Sequence, residues 1–140
     1  MIKNLGLILL STIFLINSCT PDRPKNVKAV FDIPNLIEKD IDEIRKILGK
    51  PDEDFIETTE PGRQTWDNTF KKQGSLLSVS FDPKSRAVNF IYLAPPGDDW
   101  TKKDVMKLGN LDSPSAKYWI ERGSKFNMDG DYSTIRVIPS

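Results

Sequence analysis

The chain has 140 residues, with 20 Lys and Arg against 20 Asp and Glu, a single Cys and no His. The absence of His excludes Ser-His-Asp and Cys-His catalysis and zinc sites built on His ligands. The zero net charge gives no support to nucleic-acid binding, and one Cys cannot form an intrachain disulfide. Carboxylate pairs, Lys and Tyr remain as groups that could carry chemistry.

The first elements in the chain are typical of an export signal. Lys3 gives a positive start, Leu5 to Ile16 form a mostly apolar run, and Ser18 is a small residue before Cys19. The run is too short to span a bilayer, which requires about 20 residues. It therefore predicts a signal peptide over residues 1–18.

The four residues Ile16-Asn17-Ser18-Cys19 resemble the lipobox of bacterial lipoproteins. That resemblance implies that Cys19 becomes the lipidated first residue of the mature protein and anchors it to a membrane of the cell envelope. Two or three acyl chains would make the attachment durable. Thr20 stands where an Asp retains some lipoproteins in the inner membrane, which favours the outer membrane. The alternatives are an ordinary secretory signal followed by a free Cys, and an uncleaved anchor.

Three parts are predicted along the chain: the signal peptide, a lipidated flexible tether over 19–26 and a single domain over 27–140. The tether has two prolines and no apolar periodicity, so it should be extended. Val27 to Ile33 is predicted as a first extended segment that ends at Pro34.

A helix is predicted immediately after residue 39. Asp40 and Glu43 form a capping-box pattern at its start, and Gly49 with Pro51 ends it. Its apolar residues share about a third of the helical wheel, which indicates one buried face. They are Ile41, Ile44, Ile47 and Leu48.

The hydrophobic period then changes from helical to two. After an acidic loop from Glu57 to Arg63, three strands over 64–71, 77–81 and 88–93 form a predicted antiparallel meander, with turns at 73–74 and 82–85. Ser78 and Ser80 alternate with apolar residues in the middle strand and predict that it has one solvated face.

A second helix is predicted from Thr101 to Leu108, capped by Asp99 or Thr101 and followed by Gly109. A closing hairpin is predicted from 118–128 and 132–138, with its turn at Asp129-Gly130 and a bulge at Gly123. Together these elements predict an α+β fold: an antiparallel sheet of a three-stranded meander plus a C-terminal hairpin, with two short helices on one face.

The acidic clusters are better interpreted as turns than as catalytic or metal sites. Asp52-Glu53-Asp54 follows Pro51, and Asp98-Asp99 follows Gly97, so both are expected to be solvated. The segment from Asn127 to Asp131 resembles a calcium loop only superficially, because it lacks the terminal bidentate Glu. No metal ion and no cofactor is predicted.

The helix ending Ile47-Leu48-Gly49-Lys50-Pro51, with Trp66 and the strand of Leu77, Val79 and Phe81, resembles the SmpA/OmlA (BamE) lipoproteins and the related β-lactamase-inhibitor-protein-like fold. Those families imply a role in outer-membrane assembly or in enzyme inhibition. Helix capping alone also explains the Leu-Gly-x-Pro pattern. Phe31-Asp32-Ile33-Pro34 before the helix resembles small lipoproteins of uncharacterised role.

Two functions remain open. The first is a non-catalytic binding or scaffolding domain of the cell envelope, monomeric, held to the membrane through Cys19 and contacting an envelope protein. The second is a hydrolase of envelope polymers that uses paired carboxylates. Trp100 is the candidate partner contact, because it follows a loop stiffened by two prolines and Trp is enriched in binding hot spots. The alternative is that Trp100 folds back over the second helix as part of the core.

Overall fold

The computed structural model describes residues 26–60, 63–97, 100–123 and 134–140, with the main chain alone at 57–60 and 63. The described part contains three short helices and six strands. The helices are α1 (Ile33–Leu36), α2 (Ile41–Leu48) and α3 (Lys102–Leu108). The strands are β1 (Glu53–Glu60), β2 (Arg63–Lys72), β3 (Ser75–Phe81), β4 (Val88–Ala94), β5 (Tyr118–Arg122) and β6 (Ile135–Pro139).

The six strands form one antiparallel sheet with the order β1-β2-β3-β4-β6-β5. The predicted meander is present as β2, β3 and β4, and the closing strands are present as β5 and β6. β6 lies between β4 and β5, so the C-terminal pair extends the meander. The mixed α and β class is confirmed.

The strand count differs from the prediction because β1 lies partly within the predicted acidic loop. The sequence predicts Glu53 and Asp54 in a turn and Glu57 in a loop, and acidic residues are indeed rare in strands. Pairing with β2 overrides that weak preference, with Glu53 opposite Thr69 and Ile56 opposite Trp66. The expectation that Asp52-Glu53-Asp54 forms a turn is therefore wrong for Glu53 and Asp54.

The segment predicted as a first extended stretch instead leads into helix α1. Pro34 lies in its first turn, where the missing amide hydrogen costs nothing. The preceding segment is fixed to α3, because the amides of Val30 and Phe31 donate to the carbonyl of Leu108 at 2.8 and 3.0 Å. The sequence predicts that Pro34 ends an extended segment, but in the structure it lies at the start of a helix.

Both predicted helices are confirmed with their caps. At α2, the Glu43 amide donates to the Asp40 carboxylate at 2.8 Å, and the Glu43 carboxylate accepts from the Asp40 amide at 3.2 Å. This reciprocal pair satisfies two amides that the first turn leaves free. Thr101 caps α3 through the amide of Asp104.

Arginine side chains hold α2 against the sheet around the ring of Phe81. The guanidinium carbons of Arg86 and Arg45 lie 5.1 and 5.8 Å from the ring centroid. Arg86 also donates twice to Asp42 on α2, at 3.0 and 2.6 Å. These contacts combine cation–π attraction with an ion pair between the helix and the turn after β3.

The predicted turn at residues 73–74 is confirmed, with φ values of 50° at Gln73 and 78° at Gly74. Positive φ at both central residues is the geometry of a type I′ hairpin turn. The predicted turn at Asp129-Gly130 lies outside the described residues, as do Asp98 and Asp99. The register from Tyr118 to Arg122 contains no bulge.

The hydrophobic core lies between the three described helices and one face of the sheet. Its fully buried members come from both layers: Ile33, Leu36, Ile41, Ile44 and Val105 from the helices, and Leu77, Val79, Phe81, Ile91, Leu93, Ile135 and Val137 from the strands. No helix in the described part of the chain is long and apolar enough to cross a membrane.

Candidate functional site

The two faces of the sheet differ in chemistry. Because side chains alternate along a strand, the residues between the core positions point to the opposite face. On β3 these are Ser78 and Ser80, between the core residues Leu77, Val79 and Phe81. We call this second face the polar face, and none of the three described helices lies on it.

One row of polar residues crosses the polar face through all six strands. Residues directly opposite each other in neighbouring strands share a face, and the register joins Glu53 to Glu121 without an apolar member. Five strand spacings of about 4.8 Å give this row a length of about 24 Å. Its members, in sheet order, are Glu53, Thr69, Ser78, Tyr92, Arg136 and Glu121.

Ser78 and Ser80 form the floor of the polar face and have no exposed surface. The prediction that this side of β3 is solvated is therefore wrong. By register, Ser78 lies between Thr69 and Tyr92, and larger neighbours can shield so short a side chain. The hydroxyls of both serines are buried without a hydrogen-bond partner among the described residues. Such groups are few in native proteins.

An aromatic corner occupies the polar face where β4, β6 and β5 meet. The rings of Phe90 and Tyr92 pack edge to face with centroids 5.1 Å apart. The Arg136 guanidinium carbon lies 5.5 Å from the Phe90 centroid. The Nε atom of Arg136 is buried and has no acceptor among the described residues. The corner therefore combines aromatic rings with a buried hydrogen-bond donor that has no acceptor in the part of the chain that the structure describes.

Glu121 and Trp119 complete the aromatic corner from β5. Glu121 accepts from the Arg136 guanidinium and, at 3.2 Å, from the Trp119 indole nitrogen. The hydrogen bonds from Arg136 and Trp119 lower the pKa of Glu121, and the same pairing with Glu121 raises the pKa of Arg136. Both groups stay charged at neutral pH, and they hold each other in place.

Trp119 is the most exposed of the three tryptophans, with 49% of its surface accessible. The sequence reading singled out Trp100 and missed Trp119. The alternation in Tyr118-Trp119-Ile120 could have predicted its position. A strand that buries Tyr118 and Ile120 places the Trp119 side chain on the opposite face. Tyr118 is 4% exposed, and Ile120 packs against the core.

Trp100 lies on the helical side of the molecule. It is partly buried against the core cluster, and its indole nitrogen donates to the Pro96 carbonyl at 2.8 Å. This position keeps Trp100 near the proline-containing loop from which its contact role was predicted. That role stays a prediction.

A surface groove at the start of β1 contains two carboxylates. It is lined by Arg45, Gly49, Lys50, Pro51, Asp52 and Asp54. Asp52 accepts from the Lys71 amide at 2.7 Å, while Asp54 accepts from Asn68 at 2.8 Å and lies 3.7 Å from Arg45. Both acids are engaged in contacts that join β1 to its neighbours.

The described residues contain no group of three side chains of the kinds that hold a metal ion. Cys19, the predicted lipid-bearing residue, lies outside the described residues, and so does the calcium-like segment from Asn127 to Asp131.

Comparison with known proteins gives no relative, since no protein-family model, no curated protein and no solved structure matches the chain significantly. The function has to be inferred from the chain's own residues.

Proposed function

We propose that the chain is a bacterial envelope lipoprotein whose domain is a non-catalytic binding or scaffolding module, with the aromatic corner as its contact surface. The observation that carries the proposal is that Trp119, Tyr92 and Arg136 lie together on the polar face. Trp, Tyr and Arg are the three residue types most enriched in binding hot spots.

The geometry of the corner supports a binding role because its groups are already ordered. Arg136 is held by Glu121 and by the ring of Phe90, and Trp119 by its bond to Glu121. A side chain that is fixed before binding loses less conformational entropy when a partner arrives. The ends of the polar row carry charge, while its centre carries hydroxyl groups.

The binding surface is tested by crosslinking proteins in intact cells and recovering those attached to the chain. Trp119→Ala should reduce recovery of a specific partner at least tenfold, because a hot-spot truncation costs about 2 kcal/mol or more. Ile47→Ala is the matched control. The prediction that Ile47 lies on the buried face of α2 is wrong, because Ile47 is 48% exposed, almost as much as Trp119 at 49%. Equal recovery with both variants would contradict the assignment of the corner.

Cys19 is proposed as the lipid-bearing residue that anchors the domain in the outer membrane. Cys19→Ala removes the thiol to which the lipid is attached, so labelling with a radioactive fatty acid should disappear and an unprocessed precursor should accumulate. Cys19→Ser offers a control of nearly identical size, with the same expected loss. Labelling that persists in either variant would defeat the lipoprotein assignment.

In the alternative function, a hydrolase of envelope polymers, the active site would be the groove that contains Asp52 and Asp54. A glycosidase of this kind needs one carboxylic acid with a raised pKa as proton donor. Among the described carboxyls whose pKa is displaced, Asp42, Asp82 and Glu121 all have lowered values. Release of soluble sugar fragments from purified peptidoglycan, lost in Asp54→Asn, would establish the alternative.

A further inference from the structure

Helix α3 differs in charge from the other two described helices. It carries Lys102, Lys103 and Lys107 against one acid, Asp104, whereas the two acids of α2 are balanced by two bases and α1 has no charged residue. The apolar side of α3 is buried in the core, and all three lysines are exposed, so they lie on its outward side. The outward side of α3 is therefore a basic surface.

Two of these lysines keep their charge available to a partner. Lys102 and Lys103 form no ion pair with any residue in the described ranges. Lys107 is partly neutralised, because its ammonium group lies 3.6 Å from the Asp104 carboxylate. The surface therefore retains positive charge, which attracts anionic groups.

The start of the described chain is fixed to the same helix. The amides of Val30 and Phe31 donate to the Leu108 carbonyl at the end of α3, at 2.8 and 3.0 Å. Asn26, the first described residue, comes seven positions after Cys19. Seven residues span about 25 Å at most, so a lipid on Cys19 would hold α3 close to the membrane.

We propose that the outward side of α3 lies on the anionic phospholipid surface of the membrane in which the chain is anchored. The proposal rests on the lipid attachment at Cys19 proposed above and specifies how the anchored domain is oriented. Anionic lipids attract lysines over a distance of about 8 Å at physiological salt. Because the lipid anchor raises the effective concentration of these lysines at the headgroups, a few of them are enough to select one orientation.

This orientation turns the polar face away from the lipid. The helices pack on one face of the sheet, and the polar face is the opposite one. With α3 on the headgroups, the aromatic corner of Arg136 and Trp119 is presented to the aqueous side, where a partner protein can reach it. The lipid-facing surface and the contact surface thus lie on opposite sides of the sheet.

Acetylation of lysines in the full lipidated chain tests the orientation. The chain is placed in nanodiscs of phosphatidylcholine, or of phosphatidylcholine and phosphatidylglycerol in equal parts, and treated with an amine-reactive acetyl ester. Mass spectrometry gives the rate at each lysine, so that every lysine is compared with itself on the two kinds of disc. Lys102, Lys103 and Lys107 should react more slowly on the anionic discs, by about threefold or more. Lys50 and Lys84 are the matched controls, because both are exposed and precede β1 or follow β3.

Charge reversal separates electrostatic attraction from shielding by the disc itself. In the double variant Lys102→Glu with Lys103→Glu, the slow reaction of Lys107 on anionic discs should be lost. The control variant, Lys50→Glu with Lys84→Glu, removes the same number of positive charges and should keep the slow reaction on α3. High salt should remove the difference between the two kinds of disc in the unmodified chain.

Equal rates on the two kinds of disc at the α3 lysines would overturn the proposal, as would equal slowing at Lys50 and Lys84. The same mass spectra show whether the peptide that begins at Cys19 carries fatty-acyl mass. If that mass is present and the α3 lysines are not slowed, the lipid anchor stands and the orientation is rejected. If the mass is absent, the lipid anchor is rejected, and the orientation that depends on it is rejected too.

Discussion

The two faces of the sheet are made from alternate residues of the same strands, yet they have opposite chemistry. Phe81 and Ser80 are neighbours on β3 and both are fully buried, but Phe81 packs into the core, whereas the Ser80 hydroxyl lies on the polar face with no partner in the described part of the chain. The core face is built from tightly packed side chains. The polar face includes Ser78, Ser80 and Arg136, each of which has a buried hydrogen-bonding group without a partner among the described residues.

The largest expected effect lies on the core face. Phe81→Ala should lower the free energy of unfolding by about 3 to 5 kcal/mol, and Ile44→Ala by about 2 to 5 kcal/mol, because each leaves a cavity between α2 and the sheet. Urea unfolding followed by circular dichroism measures both values. Losses near zero at both sites would mean that the core is not where the structure places it.

Substituting Trp100 and Trp119 tests how much a tryptophan contributes to stability on the helical side and on the polar face. Trp100→Ala should cost about 1 to 3 kcal/mol, because the indole is partly packed and donates to Pro96. Trp119→Ala should stay within about 1 kcal/mol of the parent, since half of its surface is exposed. Thermal unfolding of the two variants, side by side, reports the difference. A negligible loss at Trp100 would favour the contact role predicted for it from the sequence.

On the polar face, a substitution is expected to maintain or raise stability rather than lower it. Ser80→Ala removes a buried hydroxyl that has no partner among the described residues, so stability should stay constant or rise by about 1 kcal/mol. Val79→Ala, one residue away on the core face, serves as the control and should destabilise clearly. A loss above 1 kcal/mol in Ser80→Ala would show that the hydroxyl has a partner and that the polar face is not free for a ligand.

The smallest effect concerns pH. The hydrogen bond from Arg86 lowers the pKa of Asp42 in the folded state, so the ion pair stabilises the fold above the unfolded pKa of about 3.9. This contribution is lost as the pH falls through the lower folded pKa. The difference in melting temperature between the parent chain and Asp42→Asn should be greatest near neutral pH and shrink as the pH falls below the unfolded pKa of about 3.9. Because Asp42 is exposed, high salt should also reduce the difference. A difference independent of pH would exclude the ion pair as its cause.

Sequence patterns predicted the elements whose stabilising groups are local. The capping box of Asp40 and Glu43 and the turn at Gln73-Gly74 each involve residues at most three positions apart, and the structure has both. The strand β1 was missed because its formation depends on pairing with β2, which composition does not show. At Pro34 the sequence was ambiguous, since proline both ends extended segments and begins helices.

The candidate site was hard to predict for a related reason. Tyr92, Arg136 and Trp119 lie on three strands that are adjacent only because β6 enters between β4 and β5. Nothing local in the sequence gives that order. The alternation around Trp119 predicts an outward side chain, but it does not reveal which residues share its face.

The position of β6 has a consequence for the order of folding. β6 is the last of the described strands along the chain, and it alone joins β5 to the rest of the sheet. The meander of β2, β3 and β4 is joined by short turns, whereas β5 joins the rest of the sheet only when β6 has paired with both β5 and β4. The corner, which places Arg136 and Trp119 beside Phe90 and Tyr92, is therefore complete only when β6 has paired on both of its sides. A chain whose β6 has not yet paired cannot present the complete corner to a partner.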